Sequence, residues 1–187
     1  MSVLAALGVI LLVDFVSGLV HWAEDTFWTE QTPLVGKWIV APNVLHHHDG
    51  GAFTRKNWLQ SSWDLLAAGG LILGFAWLLN LLSWQVWLFV IVATNANQIH
   101  KWSHVPIRQV PAWVSLLQRI YVLQSSAHHA AHHRGEKNSR YCVITPVLNP
   151  VLDSMGFWRA LEGLLVPPPT ALRRADLAAP ATGPDSQ

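Results

Sequence analysis

The sequence predicts an all-α integral membrane protein, with about three apolar spans and further helices carrying a histidine-rich metal site on the cytosolic side. Three observations lead there. Of 187 residues, 51% are hydrophobic and only 12% charged, against about 25% charged in an average soluble domain. Three apolar runs are long enough to form membrane or core helices. The ten histidines all lie outside those runs.

The first run, Val3 to Val20, holds Asp14 as its one charge and nearly matches the roughly 20 residues that cross a hydrocarbon core. No Lys or Arg precedes Lys37, so the basic start of a signal peptide is missing and the run is expected to be a retained helix. Residues 21–63, with Pro33, Pro42 and Gly50-Gly51, read as a loop with short helices. Leu65 to Leu79 and Trp84 to Ile99 are uncharged and flank a turn at Asn80-Leu-Leu-Ser83. Both are short for a span, and together they predict a tight helical hairpin; a buried hairpin of a soluble protein is the alternative. From Val110 to Leu123, apolar residues at Trp113, Leu116, Leu117, Ile120 and Leu123 have the spacing of an amphipathic interfacial helix. One domain is expected over 1–166. The tail 167–187, opening on Pro167-Pro-Pro169, is expected to be disordered.

With spans near 3–20, 65–79 and 84–99, all 12 Lys and Arg fall on one side of the membrane. Positive charge concentrates on the cytoplasmic side. A multi-pass protein with its N-terminus outside follows, and every histidine then sits at the cytoplasmic face. The 11 tryptophans against two tyrosines suit a bilayer interface. A net charge of +1 gives no nucleic-acid footprint. The single Cys142 excludes an internal disulfide and a cysteine-based zinc site.

The histidines form four clusters: His21 with Asp25, His46-His47-His48-Asp49, His100 with His104, and His128-His129-Ala-Ala-His132-His133. Residues four apart share a helix face. His100 with His104, His128 with His132, and His129 with His133 would each make a two-nitrogen claw. Imidazole suits iron, zinc, copper or nickel and argues against calcium or magnesium. A zinc site takes three or four ligands, so nine or ten histidines fit two metal ions with open positions. A pH-sensing cluster is the alternative. Asp14 sits on roughly the face of His21; it is expected to bond a ligand imidazole or a polar group of the hairpin such as Asn95 or Asn97.

At these residues the sequence resembles the Kua-type lipid desaturases, a family that includes plasmanylethanolamine desaturases. The resemblance rests on Asp14-Phe-Val-Ser-Gly-Leu-Val-His-Trp22, Asp25-Thr26, His46-His47 with Asp49, and Thr94 with Asn97-Gln-Ile-His-Lys-Trp-Ser-His104. His128-His129-x-x-His132-His133, Tyr141-Cys-Val-Ile-Thr145, Asn149 and Gly156-Phe-Trp-Arg159 extend it. It implies a non-haem di-iron centre held by His21, His46, His47, His100, His104, His128, His129, His132 and His133. Asp14, Asp25, Asp49 and Asn97 would support those ligands from behind. His48 matches an apolar family position and is left out of the ligand set; Leu45 and Gly50 also depart from the family pattern, at an acidic residue and a proline. The implied reaction takes O2 and two electrons from a carrier of cytochrome b5 or ferredoxin type and desaturates a membrane lipid. A plasmalogen vinyl ether is the specific product expected. Lys101, Arg108, Arg134, Lys137 and Arg140 would attract an acidic donor or phosphate head groups, or reflect only the positive-inside bias. A di-iron lipid hydroxylase and a non-enzymatic metal-binding membrane protein are the competing readings.

Overall fold

Ser2 starts the first helix, its Oγ accepting from the Ala5 N–H at 3.2 Å, and α1 runs over Val3–Thr26. It continues past the apolar run because residues 21–26 contain neither Gly nor Pro. His21 and Asp25 therefore ride on the same rod as Asp14. This is a computed structural model; residues 2–134 and 137–165 are described. Among them all regular structure is helical. The segment expected to be a loop carries a π-helix at Gly36–Val40, then α2 at Ala41–His48 and α3 at Gly50–Thr54.

The second apolar helix, α4 at Trp58–Leu78, begins seven residues before the uncharged run. A capping box moves its start: Gln60 N donates to Asn57 Oδ1 at 2.9 Å, and Asn57 N donates to Gln60 Oε1 at 3.0 Å. The expected turn follows, with Asn80 in the left-handed region (φ 54°), which asparagine tolerates. The third apolar run is not one helix. It breaks at Asn95 into α5, Trp84–Thr94, and α6, Ala96–Ser103. Side chains compete with the backbone there: Thr94 Oγ1 donates to Val90 O at 2.8 Å and Asn95 Nδ2 to Ile91 O at 2.8 Å. Trp58 Nε1 donates to Asn95 Oδ1 at 3.1 Å and ties the break to α4.

Thus α1 and α4 are long and apolar enough to cross a membrane, and α5 is shorter. Both long helices pack along α5, while their outer faces expose Leu4, Leu7, Leu71, Phe75 and Trp77. The amphipathic segment forms α7 at Ala112–Arg119, and its Trp113, Leu116 and Ile120 are exposed. Helices α8, Ser126–His129, α9, Leu148–Ser154, and α10, Phe157–Leu165, complete the described chain. The tail from residue 167 lies outside the described residues.

Between α8 and α9 an irregular segment, Tyr141 to Thr145, runs through the interior against α1. A buried stretch outside helix or sheet must find side-chain partners for its backbone. Asp14 accepts three bonds, two of them from the backbone: from Ile144 N at 2.9 Å, Thr145 N at 3.2 Å and Thr145 Oγ1 at 2.6 Å. Gln124 Nε2 donates to Cys142 O, and Asn149 bonds both Cys142 N and Cys142 O. Gly18 permits the close approach, since a Cβ there would lie 2.7 Å from Cys142 Sγ.

Candidate metal centre

Eight histidines and one carboxylate converge into two adjoining groups. The first comprises His46 from α2, His100 from α6, His104 at its end, His129 from α8, and His133 in the turn that follows. The second comprises His21 and Asp25 from α1, His47 from α2, and His132. Neighbours in sequence divide between the groups, with His46 in one and His47 in the other, and likewise His133 and His132. The groups touch: the His46 and His47 rings lie 4.4 Å apart, and the His132 and His133 rings 5.3 Å.

In the first group the Nε2 atoms crowd together. His129 Nε2 is 2.8 Å from His100 Nε2, 3.1 Å from that of His104 and 3.0 Å from that of His133. His100 and His104 are 3.2 Å apart at the same atoms. A neutral imidazole has one N–H and one lone pair, so a single nitrogen cannot satisfy three others. Two nitrogens bound at right angles to one metal, with bonds of about 2.1 Å, lie about 3.0 Å apart. The spacing is that of a coordination shell.

Backbone carbonyls fix the rings from behind. His21, His46 and His132 donate from Nδ1 to Tyr141 O, Asn43 O and Ser139 O at 3.2, 2.6 and 2.7 Å. The Nε2 atoms of all three are buried without a hydrogen-bond partner, as is Asp25 Oδ2. This is how a ligating histidine is held, its outer N–H bonded and its inner lone pair presented. Burial also pushes His46, His100 and His129 well below the usual imidazole value, and the neighbouring imidazoles add to the effect. Neutral rings are the metal-binding form. The donor set and its orphaned atoms fit two metal ions.

Asp25 was expected behind the ligands, yet its oxygens stand among them. Oδ1 accepts from Asn43 Nδ2 at 2.7 Å and lies 3.2 Å from His47 Nε2. Oδ2 is 3.5 Å from His132 Nε2 and 3.8 Å from His21 Nε2. His128 lies outside both groups, near Asn149 Nδ2 at 3.4 Å. Of the two i,i+4 pairs in this segment only His129 with His133 closes, at 3.0 Å, while His128 is turned to the Asn149 side. Asp14 bonds neither an imidazole nor the hairpin, because it is used on residues 144 and 145. Asn97 donates to Ser61 O and joins α6 to α4. Asp49 is exposed and pairs with Arg55 at 3.0 Å; His48 is exposed too. The carbonyls of Asn43, Ser139 and Tyr141 left no signal in the sequence, since any residue type supplies one.

A cavity of about 340 Å³ opens beside the groups. His21, His46 and His100 line one part, and Val13, Val16, Leu65, Ala68 and Ala93 line another. Glu24, Lys56, Gln60 and Asp64 add polar groups to its lining.

A lipid desaturase family model matches residues 10–172. The chain belongs to the lipid desaturase family. It is 37% identical to mouse (Mus musculus) plasmanylethanolamine desaturase 1, across 87% of this chain and 65% of that protein. It is 32% identical to the plasmanylethanolamine desaturase of Myxococcus xanthus, across 83% and 57% respectively. Fatty acid desaturase 4, chloroplastic, of Arabidopsis thaliana is 33% identical across 81% of this chain and 48% of its own length. The chain therefore spans less than two thirds of each of these relatives. They are named as desaturases, which are oxidoreductases. No solved structure matches.

Proposed function

We propose that this chain is a membrane-embedded di-iron desaturase that places a double bond in a glycerophospholipid chain close to its head group. The observation that carries this reading is the opening of a largely apolar cavity onto the two histidine groups. Two irons bound there supply, with O2 and two electrons from an external carrier, the power to remove two hydrogens from an unactivated chain. The protein's part is to hold the chain, orient one carbon pair and keep water out.

The register of α1 measures the cavity. From Val13 to His21 is eight residues, about 12 Å, and from His21 to Glu24 three more, about 4.5 Å. A chain lying with its tail at Val13 and its polar end at Glu24 and Lys56 brings carbons near the head group beside the imidazoles. That favours an ether-linked chain oxidised next to its oxygen, giving a vinyl ether, as the names of the mouse and Myxococcus relatives suggest. Membrane embedding is supported by α1 and α4, and the cytosolic side of the site by the one-sided positive charge. Lys101 is buried and donates to Lys56 O at 2.9 Å, and Arg140 pairs with Asp153 at 3.8 Å; the exposed Arg108 and Arg134 are the cations to receive an acidic electron carrier.

The test is expression in a host that makes saturated ether lipids. The expected product is acid-labile, releases an aldehyde, and is about two mass units lighter than its precursor, by loss of two hydrogens. A product heavier by one oxygen atom would establish a hydroxylase. An acid-stable product lacking two hydrogens would move the double bond to an acyl chain. Unchanged lipids, with iron bound and a working donor present, would favour a metal-binding protein.

A further inference from the structure

We propose that Phe53 sets where along the lipid chain oxidation occurs. This rests on the desaturase reading and adds the residue that positions the substrate. Phe53 shares the cavity wall with His46 and His100 of the larger histidine group. Its ring lines the cavity and stands 5.1 Å from the His100 ring, 5.7 Å from that of His46 and 6.0 Å from that of His104. A chain in the cavity that lies against His46 and His100 therefore lies against this ring as well.

The ring is held, although its helix has only five residues. Inside α3, Thr54 Oγ1 donates to Gly51 O at 3.0 Å. Asp49 and Arg55 clasp the helix from its two ends at 3.0 Å. From outside, Lys101 reaches from α6 to Lys56 O and pins the following turn. At the other end Gly50 rests on His104, where an added Cβ would be 3.0 Å from Nδ1. α3 is thus pressed against α6, and Phe53 is its one large side chain. A rigid aromatic wall decides which carbon pair can approach the oxidising side, because hydrogen removal demands contact of reacting atoms at about 3–3.5 Å.

Phe53→Ala should widen the passage and let the chain slide, while Phe53→Leu should keep most of the wall. The full-length iron-loaded protein in lipid nanodiscs is used for two measurements. The first locates the double bond by ozonolysis and mass spectrometry. Wild type and Phe53→Leu should give one positional isomer, and Phe53→Ala a mixture of several. The second uses no turnover: under anaerobic conditions, lipids carrying a diazirine at successive chain carbons are photolysed, and the carbon that labels His46 or His100 most is identified. That maximum should shift or broaden only in Phe53→Ala. A single unchanged isomer and an unchanged labelling maximum in Phe53→Ala would overturn the proposal. If Phe53→Ala loses its iron or its fold, Phe53→Trp decides, since a larger ring must also move the maximum; an unmoved maximum overturns the proposal. Wild type that binds iron but makes no double bond would instead defeat the desaturase reading, and the labelling pattern would still report on Phe53.

Discussion

Asp25 offers two oxygens to the smaller histidine group, and they are differently occupied. Oδ1 receives the Asn43 amide, while Oδ2 is buried with no hydrogen bond to spend itself on. Asp25→Asn keeps the shape and removes the charge. Iron should fall from about two per chain toward about one, as measured by plasma mass spectrometry, because the larger all-imidazole group is untouched. His128→Ala should leave the iron content intact, whereas His129→Ala and His133→Ala should lower it; equal losses from all three would overturn the placing of His128 outside both groups. The sign of the pH response also follows from single residues. Burial, helped by His47 and His132, pushes His104 down to about 4, against about 6.5 in an unfolded chain. Between those values the unfolded state holds more protons, so stability rises with pH. Metal-free protein should be at full stability above about pH 6.5 and should lose it as pH falls toward 4, seen as a falling melting temperature in detergent. A flat profile would mean that His104 is solvated. Histidine is rare enough that the doublets could be read as a metal site from sequence. That Asp25 stands within the smaller group and His128 outside both could not, because it turns on which way single side chains point.

At the scale of elements, the apolar runs identified the helices, but polar side chains decided their limits. Trp84 to Ile99 is unbroken by hydropathy; Thr94 and Asn95 divide it by bonding their own carbonyls. That break re-aims α6, and with it His100 and His104. The segment Tyr141–Thr145 was harder to foresee, since an irregular interior strand exists only because Asp14, Gln124 and Asn149 happen to lie around it. Asp14→Ala would strand three donors, two on the backbone and one on Thr145. The expected cost is about 3 kcal/mol, read as a lowered denaturation midpoint. Iron should weaken as well, because the same segment carries the Tyr141 carbonyl that orients His21. Asp14→Asn should cost less, since the amide oxygen can still accept. A normal midpoint in Asp14→Ala would show that the segment is held by packing alone.

For the whole molecule, the apolar outer faces of α1 and α4 and the histidine-bearing helices around their shared end predict a topology. Cysteines placed near Arg55 and Lys137 should react with a membrane-impermeant maleimide from the cytosolic side, and one at Ser2 from the opposite side. Cys142 is fully buried and gives no background. Labelling of the Arg55 and Lys137 positions from opposite sides would break the arrangement, because both loops approach one centre. The helical plan, two long apolar helices and the gathering of the histidines were legible because apolar runs and histidine doublets are both written in the sequence. The cavity was not, since its walls come from α1 through α6 and from Val143, segments far apart in sequence. The five converging imidazoles have a consequence for supply as well as for chemistry. Affinity for such nitrogen sites rises along the series from iron to copper, and zinc also binds more tightly than iron. The larger group contains no carboxylate to soften that preference. Selectivity for the iron proposed above must therefore come from whichever metal the cell offers as the chain folds, so growth in surplus zinc should yield a correctly shaped protein holding zinc in its place.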